Sequence, residues 1–309
     1  MTKFTTLGAA VALAIGSTPS KAEDGARVDF PDAETQQKLN KKWEHALPFH
    51  AQKAIDLGYA LPLPFSVSFI GNASKQNIEM YDLGVQVGDV DLGDRYDLSQ
   101  VSFGTPEIES KSMQLRAAAW VFPFLQMGVH VGRFSGGTQL TAEIPTSLFK
   151  ACDNHPRLPT CAKESVSTPE FYPDVEGSNW GFSMNIVGQV GDFTYVLPAS
   201  MTHSRTDDER TNTKTMLFSP RVGQLIQTEN WGNIFPYMGA AYMHSEGLTQ
   251  ENNALGVDGL SYQLSQQSAE DYSAIIGANW NITKTYGANL EFIGGPGRKI
   301  INVIMTYSY

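Results

Sequence analysis

The stretch DYSAIIGANWNITKTYGANLEFIGGPGRKIINVIMTYSY, residues 271 to 309, decides the fold. Read back from its end, Tyr309, Tyr307, Met305, Val303 and Ile301 share one face, and Ser308, Thr306, Ile304 and Asn302 share the other. Before it, Tyr286, Ala288, Leu290 and Phe292 oppose Gly287, Asn289, Glu291 and Ile293. Before that, Tyr272, Ala274, Ile276, Ala278 and Trp280 oppose Ser273, Ile275, Gly277 and Asn279. A period of two is the signature of a strand, and a soluble sheet with one buried face produces it too. Three features point to lipid instead. Each segment has about the ten residues a tilted strand needs to cross hydrocarbon, aromatics sit at the ends of the apolar face, and the chain stops on an aromatic in mid-alternation.

The N-terminus has the features of an export address. Lys3 gives a small positive region, Leu7 to Ile15 a short apolar run, and Ser20-Lys21-Ala22 a small-x-small cleavage site, so residues 1–22 are expected to be a signal peptide. No later stretch approaches the roughly 20 continuous apolar residues of a transmembrane helix. Cleavage would remove only Lys3 and Lys21, taking the net charge from −10 to −12. Nucleic acid is excluded as a partner on that balance, because phosphate binding depends on clustered Lys and Arg. Only 17% of residues are charged while glycine occurs 28 times, which suits a barrel wall better than an acidic soluble surface. Cys152 and Cys161 flank a Pro-rich turn, and in an exported chain they are expected to form a disulfide that pins a loop. His155 and Asp153 nearby make a poor metal set, and nothing in the residues calls for a cofactor.

Working outward from the C-terminal hairpins, Pro31 and the stripe Ala33, Leu39, Trp43, Ala46 and Leu47 predict a helix over 32–47, and a second short one is expected over 49–57 before Gly58. Residues 23–60 read as a periplasmic extension, a plug folded into the barrel, or a foot on the membrane surface, the last supported by Lys38, Lys41, Lys42 and Trp43. Leu61-Pro62-Leu63-Pro64 resets the chain to extended structure. Strand starts are then expected near Phe65, Tyr81, Tyr96, Met113, Leu125, Trp180, Phe193, Thr213, Ile234, Asp271, Thr285 and Lys299. The predicted fold class is all-β: over 61–309, a membrane-spanning antiparallel up-and-down barrel of about 12 strands, with a short N-terminal helical segment. Short turns at one end contrast with large outer loops expected at 134–179 and 246–270. Pro198, Pro220 and Pro236 count against the scheme, since each removes a ladder donor, and they predict bulges or strand ends.

The terminal segment Ile301–Tyr309 resembles the C-terminal assembly signal of Gram-negative outer-membrane barrel proteins. The phrases Leu61-Pro62-Leu63-Pro64-Phe65, Trp120-Val121-Phe122-Pro123-Phe124-Leu125 and Ser219-Pro220-Arg221-Val222-Gly223 are similar to those of one group within that class. The resemblance implies the bacterial outer membrane, its lipid, and the barrel-assembly machinery as a partner. It attaches no substrate and no catalytic residue.

With the apolar faces turned to lipid, Asp82, Arg116, His130, Arg221 and Glu291 become candidates to line the lumen, with Gln114, Gln126, Asn185, Asn289 and Asn302. Their functional reading is passive passage of a small polar solute. The structural one pairs Arg116 and Arg221 with Asp82 or Glu291, so that buried charges are neutralised. A non-conducting barrel whose outer loops bind a partner is the rival. An enzyme is not expected: His203-Ser204 and His244-Ser245 are adjacent on strands, so each pair splits between opposite faces. A lipid-facing hydrolase would need a cross-strand pairing instead.

Overall fold

The computed structural model describes residues 42–309 apart from 57, 58, 60, 95, 140, 149–164, 168–173, 229 and 253–257. The expected signal peptide and both Cys152 and Cys161 lie outside the described residues. Among the described residues one α-helix, α1 (Ala51–Asp56), precedes sixteen strands. They are β1 (Phe65–Val87), β2 (Val90–Asp91), β3 (Glu107–Phe122), β4 (Leu125–Gln139), β5 (Glu143–Pro145), β6 (Ser165–Ser167), β7 (Asp174–Val190), β8 (Phe193–Thr206), β9 (Thr211–Phe218) and β10 (Arg221–Gly223). The rest are β11 (Ile226–Thr228), β12 (Gly232–Asn252), β13 (Leu260–Ser268), β14 (Tyr272–Asn281), β15 (Tyr286–Gly295) and β16 (Arg298–Ser308).

Every pairing is antiparallel, and the ladder returns to its start. It runs β1, β3, β4, β7, β8, β9, β12, β14, β15, β16 and back to β1, with Ser66 to Gln76 facing Ser308 to Arg298 at the final joint. Such a circuit satisfies every backbone group without an edge, which is what a sheet in hydrocarbon requires. The twelve expected staves are ten. Phe65 and Tyr81 belong to the single strand β1, and the segment expected to start near Tyr96 carries short 3-10 turns at 92–94 and 98–100 instead.

The outward face marks where lipid ends. Met113, Leu115, Val131, Ile276 and Met305 are among the exposed apolar side chains. One repeat further from the short-turn end, the outward positions become Lys111, Arg133, Lys299, His203 and Lys214. Beyond that line the sheet continues. β1 has 23 residues and β12 has 21, about twice the 9–11 a crossing takes. There β13 bridges the two, pairing Ile78 to Val87 on one side and Glu246 to Asn252 on the other. The loops expected at 134–179 and 246–270 are therefore shorter, because 134–139, 174–179, 246–252 and 260–268 are strand. Within the first, β5 and β6 form a separate two-stranded hairpin.

The three prolines gather around one stave, the one formed by β9, β10 and β11. Pro220 interrupts it between β9 and β10; Pro198 lies opposite that gap, and Pro236 lies opposite the next one, between β10 and β11. Their missing donors thus face places where the ladder is already broken.

At the short-turn end, residues 42–47 are bends, not the end of a helix. The Phe49 amide donates to Val121 O (2.8 Å) and the Phe49 ring packs on Phe122 at 5.9 Å. The described part of the N-terminal segment therefore sits on the β3–β4 turn, and Pro64, fully buried, delivers the chain into β1.

Candidate functional site in the barrel interior

Inward positions follow from the pleat, and the interior divides into two unlike regions. On the β12, β14, β15 and β16 side an apolar cluster of Phe235, Tyr237, Ala241, Ile275, Ile293 and Ile300 fills the space, joined by Val196, Leu217, Leu225 and Met243. Embedded in it is an ion pair. Arg221 Nη2 lies 2.8 Å from Glu291 Oε2, and the carboxylate is 3% exposed. Tyr237 Oη donates to the same oxygen (2.9 Å), while Asn302 Nδ2 donates to Oε1 (3.1 Å). Asn289 Nδ2 and Arg221 Nη1 both donate to Tyr237 Oη, and Asn72 donates to Asn302. The guanidinium also lies over the Tyr237 ring, 5.1 Å from its centroid. Arg221 Nε and Asn289 Oδ1 remain buried without partners. Gly277 makes the cluster possible: a Cβ there would come 2.6 Å from Tyr237 Oη, so the ring lies where a side chain would stand.

On the β1, β3, β4, β7 and β8 side the inward residues are mainly Ser, Thr, Asn, Gln and Gly, with His130, a few apolar side chains such as Ile78 and Ala118, and Arg116. Arg116 Nε donates to Ser183 Oγ (2.8 Å) and Nη2 to Gln126 Oε1 (3.0 Å). Asn185 Nδ2 reaches the same Gln126 oxygen at 2.9 Å; with its amide turned over, its oxygen accepts from Arg116 Nη2 at 3.2 Å instead. The turned orientation gives each amide atom a suitable partner and is the better assignment. Arg116 crosses β4 over Gly128, where a Cβ would sit 3.0 Å from Nε. His130, paired in register with Arg116 and 5% exposed, shares a hydrogen bond with Thr202 (3.0 Å). No described carboxylate faces inward on these five strands.

Of the five titratable residues singled out in the sequence, four face this interior: Arg116, His130, Arg221 and Glu291. Asp82 does not. It is exposed, at φ 53° in a bulge of β1 between Tyr81 and Gly84, above the point where β16 ends. The expected pairing of Arg221 with Glu291 forms; Arg116 has no carboxylate partner among the described residues. A second buried cation escaped the sequence reading. Arg298, 3% exposed, donates to Met243 O and Ser268 Oγ at 3.2 Å where the β15–β16 hairpin tucks beneath β13. Its signal was present: position 298 is even, the inward parity of β16.

The serine and histidine pairs fall apart as the pleat requires. His203 turns outward and stacks on Trp180 at 5.0 Å, and Ser245 turns inward to Thr215. His244 Nδ1 lies 3.0 Å from Asp271, and no serine hydroxyl is hydrogen-bonded to the ring among the described residues. Outside the bilayer, the β8–β9 turn carries its own ion pair. Asp208 is penalised by partial burial, yet donors from Thr206, the Arg210 amide and the Arg210 guanidinium hold its carboxyl below the usual range. Arg210 is raised in turn, chiefly by its hydrogen bond to Asp208.

No family model matches the chain, and no curated protein does. Solved structures do. The β-domain of the Bordetella autotransporter BrkA is 9% identical over 79% of this chain and all of its own, with a TM-score of 0.38. Outer membrane protein OprG from Pseudomonas aeruginosa gives 8% identity, 81% and 99% coverage and 0.41. Outer membrane protease OmpT from Escherichia coli gives 10%, 78% and 97%, and 0.40. The fold assignment rests on the molecule itself: a closed antiparallel ladder wearing an apolar belt is an outer-membrane type of β-barrel.

Proposed function

We propose that the chain is an outer-membrane barrel closed at mid-height, and that its working surface is the part of the sheet beyond the bilayer. The observation that carries this is the burial of the inner wall. Side chains lining a water-filled bore would be wetted, whereas Glu291, His130, Ser68, Thr194 and Ser219 are buried. Eight staves give a filled interior and sixteen a channel, so ten favour the filled kind. The outer extension of β1, β12 and β13, with the β5–β6 hairpin, supplies a surface for a partner outside the cell. Ile301–Tyr309, which closes the ladder against β1 and stacks Tyr309 on Phe65 at 5.9 Å, serves as the signal read by the assembly machinery.

The test is electrical. Purified protein inserted in a planar bilayer is expected to give no steady conductance, and vesicles carrying it should not swell in small sugars. Stable open channels at every insertion would overturn the reading. The second reading, passage of a small polar solute, is supported by the neutral polar wall around Arg116; it predicts currents that change selectivity in an Arg116→Gln variant.

A further inference from the structure

We propose that Arg116 holds a small monovalent anion, of halide or carboxylate kind, at its Nη1 on the polar inner wall. Three groups occupy its donors, Ser183 Oγ, Gln126 Oε1 and the Asn185 amide oxygen, and all are neutral. Nη1 has no protein acceptor among the described residues. A guanidinium stays protonated and cannot shed its charge on partial burial, so a carboxylate or a bound anion is what balances it. The same interior shows what the first option looks like, since Arg221 has Glu291 at 2.8 Å. Around Arg116 the described inward faces of β1, β3, β4, β7 and β8 offer no acid at all.

What they offer is a cradle of donors. The Ser183 hydroxyl accepts from Nε and keeps its own proton to give. Both Nη2 hydrogens are taken by Gln126 and Asn185, which leaves Nη1 as the donor group with hydrogens to give. Gly128 gives the guanidinium room to lie flat on β4, because a Cβ there would stand 2.9 Å from Ala117 O and Ala118 Cβ and 3.0 Å from Nε. A planar fork beside a hydroxyl suits a halide or one edge of a carboxylate. The proposal does not depend on whether the barrel conducts, since an ion held at one cation needs only access from one end.

The experiment uses the full chain purified in detergent at fixed ionic strength, with gluconate as the bulky reference and chloride or formate as probe. Thermal unfolding midpoints and the chloride NMR line width are followed as the probe is titrated. The wild type is expected to show a saturable rise in midpoint and a saturable broadening. In Arg116→Gln both should vanish, while Arg116→Lys retains the response with affinity weakened about tenfold, a loss of about 1.4 kcal/mol. Formate relieving the chloride broadening would show that both anions share the site. Ser183→Ala, which keeps the charge, should weaken the response without removing it, and it stands in if Arg116→Gln fails to fold. A wild type indifferent to both probes, or variants that respond as the wild type does, would overturn the assignment.

Discussion

Arg221 and Arg116 face the same interior from different staves and meet opposite surroundings. The first is set against a carboxylate that is itself held by Tyr237 and Asn302, inside an apolar cluster. The second lies among amides and hydroxyls with its charge unanswered by the described chain. The difference teaches how each wall is stabilised. A dry environment makes a lone charge intolerable, so Arg221 and Glu291 are obligate partners; a polar one lets Arg116 stay charged with dipoles and an exchangeable counter-ion.

Breaking the pair should therefore be the most damaging change. Glu291→Gln leaves Arg221 buried against a neutral amide and is expected to cost about 3 kcal/mol or more. The check is urea unfolding in lipid vesicles followed by tryptophan fluorescence. Replacing both partners, Arg221→Met with Glu291→Leu, should restore most of the loss, because the cluster around them is already apolar. A double variant as weak as the single one would mean that Tyr237 and Asn302 need the carboxylate more than Arg221 does.

Next in size are the glycines that let long side chains lie flat. Gly277→Val drives a side chain into the space of Tyr237 and should cost about 1–3 kcal/mol. Gly128→Val meets Ala117 O and Ala118 Cβ at 2.9 Å and Arg116 Nε at 3.0 Å, all looser than the 2.6 Å approach at Gly277. Its cost should fall below that of Gly277→Val in the same unfolding assay. Removing the cation itself, Arg116→Met, is expected to change stability by no more than about 1 kcal/mol in gluconate, since Gln126 keeps its bond to Ser66 Oγ. A loss like that of Glu291→Gln would mean that the two regions are not different in kind.

How much of this was legible follows from where the chain touches lipid. β14, β15 and β16 stand out because both of their faces are constrained, apolar against acyl chains and polar or small against the interior. Outside the bilayer that constraint ends. In β1 the outward positions after Ala73 are Lys75, Asn77 and Glu79, so the alternation fades and Tyr81 looks like a fresh start. β13 and the upper half of β12 are wet on their outward face and read as polar loop for the same reason. Asp82 was placed by parity, and a bulge changes parity without leaving a residue type that announces it. The Arg221–Glu291 pair could be anticipated from charge and face alone. The isolation of Arg116 could not, because it depends on which staves become neighbours.

An exposed pair gives the comparison its lower bound. Asp208 and Arg210 meet at 2.6 Å in the β8–β9 turn, both about half exposed, and Arg210 also reaches Glu251 at 2.9 Å. Here water competes for both partners, so Asp208→Asn should cost only a few tenths of a kcal/mol at neutral pH. The pH dependence has a definite sign. A carboxyl held below its ordinary pKa of 3.8 contributes stability at pH above that value and loses it as pH falls through the lower folded value. The small gap between wild type and Asp208→Asn should thus be constant from neutral pH to about 5 and close well below 3.8. Thermal unfolding across that range checks it. A gap that opened as the solution was acidified would mean that the carboxyl is destabilised by its surroundings, and that even the wetted ion pair of this barrel is governed by burial.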